Sequence, residues 1–262
     1  MTRGFDADWL VPEWHVPGVG AVMTTRQGGV SVAPFDTLNL RAGQGDDPVA
    51  VAQNQRRLAD AIGAAPVWLT QVHGAAVVPL TASDQQPGAP VHRADASFTV
   101  EPGVVCAAQV ADCLPVLFAA PGARGVAAAH AGWRGLAGGV LDATIAALCE
   151  ATNCEPDELQ AWLGACIGPR RFEVGADVLQ AFGADPDRRE NQPGFAASQS
   201  RGEHAKWLAD LPWLARQRLA AAGVRAVSGG TWCTVEAPSR FFSYRRDGVT
   251  GRMAAAVWIE RR

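Results

Sequence analysis

The 262-residue sequence predicts an α/β protein whose sheets mix parallel and antiparallel strands. Three observations carry this. Apolar runs of small and β-branched residues alternate with amphipathic helical stretches. Some of those runs are joined by turns too short for a helical crossover, which makes their strands antiparallel. No internal repeat or long low-complexity tract breaks the alternation, so residues 1–262 read as a single domain.

The elements follow in order. PVAVAQNQRRLADAIGA (48–64) places Val51, Leu58 and Ile62 on one helical face. TASDQQPGAPVHRAD (81–95) is rich in proline, glycine and polar residues and reads as a loop. VVCAAQVADC (104–113) reads as a buried strand, and LPVLFAA (114–120) and GVAAAHA (125–131) as two more, with PGARG (121–125) turning between them. VLDATIAALCEAT (140–152) is a helix and AWLGACIG (161–168) a strand. GADPDRRENQPGFAASQSRGEHAK (183–206) is a second loop. WLADLPWLARQRLAAAG (207–223) reads as a helix stopped by Gly223. VRAVSGGTWCT (224–234) and RMAAAVWIE (252–260) are late strands.

Composition narrows the function. Hydrophobic residues make up 48% and charged residues 19%, enough for a sizeable core. A net charge of −3 gives no electrostatic case for nucleic acid or a membrane surface as partner. The N-terminal MTRGFDADWLVPEW lacks the apolar run of a signal peptide, and no segment approaches the ~20 apolar residues of a membrane span. A cytoplasmic enzyme of small molecules is the expectation. Six cysteines in that compartment are packing thiols, ligands or nucleophiles rather than disulfides, and no CxxC pair suggests a zinc knuckle.

Three polar residues interrupt apolar context at strand ends: His73 in WLTQVHG, Cys113 after Asp112 in AAQVADCLP, and His130 in GVAAAHAGWRG. Loops at strand ends are where α/β scaffolds build sites. One thiolate and two imidazoles form a three-ligand set that zinc accepts with a fourth position open. Each residue alone also fits a structural role. His15 and His92 read as solvated, Cys106, Cys149 and Cys233 as packing, and Cys166 as a core thiol or a pocket wall. Arg134, placed near the start of a 136–152 helix, suits an anion. Arg245 and Arg246 in FFSYRRDG and Asn39 in FDTLNLRAG complete the candidate substrate-facing set.

TTRQGGVS, FDTLNL, GDDPVAVAQN, WLTQVHG, ADASFT, VADCLPVLF, GVAAAHAGWRGLAGGVL, AWLGACIGPRRFEVG and FFSYRRDGVTGRMAAAVWI together resemble the YfiH family, also called the laccase-domain or polyphenol-oxidase family. The resemblance implies an α-β-β-α arrangement of mixed sheets between helical layers, similar to a cysteine-hydrolase-like domain. It implies a zinc site of His73, Cys113 and His130, with copper as a possible substitute. Two departures stand out: Gly43 where members often carry histidine, and Ala165 where they often carry proline.

Activities attributed to that family differ. They are phosphorolysis of adenosine, inosine and methylthioadenosine with deamination of adenosine, peptidoglycan-editing amide hydrolysis of cell-wall precursors, and copper polyphenol oxidation. Multicopper chemistry needs more imidazoles than five histidines supply once two are committed, and a single His2Cys copper centre wants an axial methionine, for which only Met23 and Met253 are internal. Zinc chemistry suits the first two activities, with Asp112 as support or proton carrier and the arginines on phosphate. A metal-free alternative makes Cys113 a nucleophile with His130 or His73 as base. A non-catalytic purine- or precursor-binding module is the remaining alternative. The reading favoured is a zinc-dependent purine nucleoside enzyme.

Overall fold

The computed structural model describes residues 5–14, 16–188, 190–199 and 205–261. The order is β1 (Val19–Met23), α1 (Pro48–Ile62), β2 (Pro66–Val67), β3 (Val77–Pro79), β4 (Ala96–Thr99), β5 (Val105–Val110), β6 (Leu114–Ala119), β7 (Val126–Ala131), α2 (Trp133–Ala137), α3 (Val140–Thr152), β8 (Gln160–Leu163), β9 (Glu173–Val174), α4 (Ala176–Ala181), β10 (Phe195–Ala197), β11 (Trp207–Ala209), α5 (Leu211–Ala221), β12 (Ala226–Gly229), α6 (Tyr244–Asp247) and β13 (Met253–Ile259).

Two mixed sheets form the centre. One runs β1-β13-β5-β2 and the other β12-β8-β6-β7-β4-β3. β6 and β7 pair antiparallel through the PGARG turn, as its shortness requires. Period-two alternation assigns each strand's side chains to opposite layers. In β13, Ala254, Ala256 and Trp258 face Val22, Leu58 and Ile62 under α1, while Met253, Ala255, Val257 and Ile259 face the second sheet. In β7, Ala128 faces the first sheet, while Ala127, Ala129 and Ala131 pack with Leu141, Ile145 and Leu148 of α3. The layers are therefore α-β-β-α. Alanine fills much of the contact between the sheets, which lets them approach closely.

Local signals set the ends. Asp47 accepts the Val49 N–H at 2.9 Å and Pro48 opens α1, which closes on Gly63 at φ 85°. α3 spans the predicted residues 140–152.

The structure corrects three expectations. The 207–223 segment is not one helix: Trp207–Ala209 is β11, and Asp210 then caps α5 by accepting the Trp213 N–H at 2.9 Å. Phe195–Ala197, inside the predicted 183–206 loop, pairs with β11, and β11 pairs with β9, making a small third sheet. Residues 200–204 of that loop, His204 among them, lie outside the described residues. The predicted helix 136–152 is divided. Arg134 sits in the five-residue α2, and Gly139 at φ 89° starts α3 afresh.

Candidate metal and active centre

The chain passes from the first sheet to the second within three residues. β5 ends at Val110 and β6 begins at Leu114, so Cys113 sits at the crossing. Asp112 makes the bend in a left-handed conformation, φ 87°. Its backbone carbonyl accepts the Ile167 N–H at 2.9 Å. Its carboxylate accepts the Thr234 hydroxyl at 2.5 Å and the Arg245 N–H at 2.6 Å. Both oxygens are thereby taken, so Asp112 ties the bend to the 234–245 segment rather than presenting a free base.

His130 lies on β7 opposite Pro115, one residue along from the Cys113 end of β6. It is 3% exposed. His73 comes from the connection after β2. Gln71 holds that connection against β5: its Nε2 donates to the Gln109 carbonyl and its Oε1 accepts the Gln109 N–H, both at 2.8 Å. A side-chain amide thus completes a ladder where the strand has ended. His73 itself is left-handed, φ 62°, and exposed.

One buried carboxylate joins these pieces. Asp95, 1% exposed and just ahead of β4, accepts the N–H groups of Val72, His73 and Gly74 at 3.1, 2.9 and 2.7 Å. Three successive amides wrapped on one anion form a nest. Its Oδ1 also lies 2.8 Å from His130 Nδ1, and its backbone carbonyl accepts the His130 N–H at 2.7 Å. Sequence reasoning gave Asp95 no role. The available signal was an aspartate placed directly before the apolar run ASFT.

Donor atoms of His73, Cys113 and His130 lie within 4.8 Å of one another. Cys113 Sγ is 3.9 Å from His73 Nε2, and the two imidazoles meet edge to face at 4.9 Å. Gly132 allows the closeness: a Cβ there would fall 3.0 Å from Cys113 Sγ and 3.1 Å from His73 Cδ2. With Nδ1 on Asp95, His130 turns Nε2 to the cluster, the carboxylate–histidine arrangement that orients metal ligands. The donor set, its spacing and this support fit zinc. Among the described residues no other such cluster of His, Cys, Asp and Glu occurs.

The electrostatics agree. Burial alone would raise the Cys113 thiol, but the charges and hydrogen bonds of His130 and His73 outweigh it and bring it down to about 6. Burial would likewise lower His130, yet Cys113 and Asp95 carry it up to about 9. Without a metal the pair favours thiolate beside imidazolium, and thiolate is the form that binds metal or attacks carbon.

The other predicted residues are distributed differently. Arg134 is exposed with its guanidinium 4.3 Å over its own neighbour Trp133, so the long-helix N-terminus expected to assist it is not there. Arg245 donates its side chain to the Glu173 carbonyl at 3.0 Å, and Arg246 to the carbonyls of Thr234 and Phe241 and to Asp247. Arg246 therefore braces the turn. Asn39 is fully buried and spent on Asp46 and on the backbones of Arg41 and Arg252, so it organises a loop rather than facing substrate. His92 is not simply solvated: its Nε2 lies 2.7 Å from Asp84 Oδ1. His15 lies outside the described residues. Cys166 is wholly buried in the helical-side core, and a neighbouring cavity of about 670 Å³, lined by Trp213, Trp232 and Cys233, contains none of the three donors.

Residues 20–260 match the family described as multi-copper polyphenol oxidoreductase laccase. A Pseudomonas aeruginosa protein named purine nucleoside phosphorylase is 50% identical over 253 residues, covering 96% of this chain and 98% of its own length. The Escherichia coli purine nucleoside phosphorylase YfiH is also 50% identical, covering 95% and 98%. The crystal structure of a Neisseria meningitidis protein superposes with a TM-score of 0.85 at 43% identity, covering 97% of this chain and all of that one.

The chain belongs to the YfiH, or laccase-domain, family.

As a YfiH-family protein it carries one donor cluster among its described residues, where the copper in the family description would call for several. Met23 and Met253, the methionines considered for an axial position, are both buried in the core between the sheets. Met23 Sδ accepts the Ala165 N–H at 3.2 Å, a bond that a proline at that position could not make. Gly43, at φ 74°, has open space where a side chain would stand.

Proposed function

We propose that this chain is a zinc-dependent cytoplasmic enzyme of purine nucleosides, which phosphorolyses adenosine, inosine and methylthioadenosine and deaminates adenosine. The observation that carries the reading is the convergence of the His73, Cys113 and His130 donor atoms within 4.8 Å of one another, with one buried carboxylate, Asp95, holding the His130 ring and the His73 backbone. The names of relatives at 50% identity over nearly the whole chain support the substrate class. Among the described residues no helix is long and apolar enough to cross a membrane.

His73, Cys113 and His130 would hold the ion, and copper could occupy the same donors. When bound, zinc supplies a fixed positive charge and Lewis acidity at this point. The chain's residues do the rest. Asp95 fixes His130 and the His73 turn, so the three donors keep their places. Asp112 anchors the Thr234 hydroxyl and the Arg245 backbone, and so ties the 234–245 segment to the bend that carries Cys113. Phosphorolysis breaks the C1′–N9 bond, forms a C1′–O bond to phosphate, and leaves the base with the electron pair and a proton. Deamination exchanges the C6 amine for an oxygen from water and releases ammonia. Neither needs an organic cofactor.

A substrate panel on one preparation tests this. Phosphate-dependent release of free base from inosine and methylthioadenosine is expected, with phosphate-independent formation of inosine from adenosine. Chelation should stop both, and zinc should restore them. An inert nucleoside panel beside hydrolysis of a serine-bearing cell-wall precursor would replace the reading with an amidase. Oxidation of a phenolic dye by the copper-loaded protein alone would replace it with an oxidase.

A further inference from the structure

Among the described residues, Arg41 and Arg252 have no ion-pair partner. Asn39 brings them together: its Oδ1 accepts the backbone N–H of Arg41 at 3.1 Å and that of Arg252 at 2.9 Å. The Leu40 N–H donates to the Arg252 carbonyl at 3.0 Å, closing the same knot. Both arginines are half-buried. The Arg252 guanidinium donates to the carbonyls of its own turn, Thr250 and Gly251, at 2.9 and 3.0 Å, and lies 5.9 Å from the centre of the Tyr244 ring.

The carboxylates nearest in sequence are all engaged elsewhere. Asp46 accepts from Ser31, Asn39 and the Asp47 N–H, and Asp47 caps α1. Asp112 is spent on Thr234 and Arg245. Among the described residues no carboxylate stands within ion-pair distance of Arg41 or Arg252. Met253 pairs with Val110 across the β13–β5 ladder, so Arg252 stands at the level of Ala111, two residues before Cys113. In keeping with this, burial and the Arg41 charge push the Arg252 pKa down, while Cys113, Asp112 and Tyr244 push it up. Two like charges held half-dehydrated and unpaired are costly unless an anion joins them. Guanidinium forks match a tetrahedral oxyanion in shape as well as charge.

We propose that Arg41 and Arg252 form an oxyanion site beside Cys113 that takes inorganic phosphate. The identity of the anion rests on the phosphorolysis reading; the existence of the site rests on the unpaired guanidiniums. The site differs from the positions the sequence suggested, since Arg134 stacks on Trp133 and Arg246 is consumed by the turn it braces.

The test is calorimetric titration of the purified full chain with inorganic phosphate, run beside steady-state kinetics on inosine. Arg41→Ala and Arg252→Lys should each weaken phosphate binding by about tenfold or more, the loss of a charge-assisted contact. The KM for phosphate should rise in step, with the KM for inosine changed by less than about threefold. Unchanged thermal unfolding of Arg41→Ala, whose side chain makes no hydrogen bond to the described residues, shows that the fold is intact. Phosphorolysis in the wild type with phosphate binding indifferent to both substitutions overturns the site and keeps the nucleoside reading. Arginine-dependent phosphate binding without phosphorolysis keeps the site and overturns that reading. Absence of both phosphate binding and turnover in the wild type overturns both.

Discussion

Oδ1 of Asp95 lies 2.8 Å from Nδ1 of His130, and the same carboxylate accepts three consecutive N–H groups around His73. Two donors far apart in sequence are thus positioned by one buried side chain. Asp95→Asn keeps the shape but points an amide NH2 at one of those N–H groups. Zinc affinity should fall by roughly 10- to 100-fold. Stability should fall by about 1–3 kcal/mol, the cost of buried donors left unpaired. Competition with a chromophoric chelator and denaturant unfolding read the two effects. Zinc affinity equal to wild type would remove Asp95 from the support of the site.

Gly132 tests closeness alone. Gly132→Ala places a methyl 3.0 Å from Cys113 Sγ and 3.1 Å from His73 Cδ2, so one of them must withdraw. Turnover should drop by about tenfold or more, since misplacement by an ångström is costly in a positioned site. Thermal unfolding should move little, because Gly132 starts a short helix and is not left-handed. Full activity in the alanine variant would mean that the three donors work further apart than they stand.

Metal content separates two chemistries that share the same residues. The purified protein should carry about one zinc per chain, as a three-donor site with one open position predicts. Cys113→Ala should lose both zinc and turnover. Chelation of the wild type should abolish activity and expose Cys113 to alkylation. Activity that survives complete removal of metal, yet is lost on alkylation, identifies Cys113 as a nucleophile instead.

Asp84 gives a pH signature away from the site. Its carboxylate is held below the usual 3.8, first by the hydrogen bond from His92 and then by the Thr81 N–H, against a smaller opposing effect of burial. A carboxyl whose pKa falls on folding stabilises the native state above its unfolded value and loses that contribution as acid protonates it. The melting temperature of Asp84→Asn should therefore lie below wild type at pH 7, and the gap should close towards pH 3. A gap that widened in acid would contradict the assignment.

The sequence made β5, β6, β7, β8 and β13 legible because both faces of these strands are buried, so each reads as a continuous apolar run, whereas the short strands β1 to β4 of the same sheets went unread. It also pointed to His73, Cys113 and His130, although His73 lies on the connection after β2 rather than at the strand end expected for it. The third sheet escaped because WLA (207–209) continues smoothly into a helical pattern. The break is marked only by Asp210 and Pro212, a cap and a first-turn proline. Asp95 escaped for a different reason: its three amide partners lie more than twenty residues earlier, and no local spacing encodes that meeting. Arg41 and Arg252 are further apart still, and the buried Asn39 and the Leu40 backbone join their segments.

The three donors do not have equal standing. Cys113 and His130 are carried at the ends of paired central strands, while His73 is exposed on a connection held by hydrogen bonds from its backbone. Two jaws of the vice are welded to the frame, and the third is hinged at the solvent side. An ion would enter and leave past His73. Exchange rate and equilibrium affinity then become separately adjustable: substitutions in the 71–74 turn change how long an ion stays, while substitutions in β6 or β7 change whether it can be held at all.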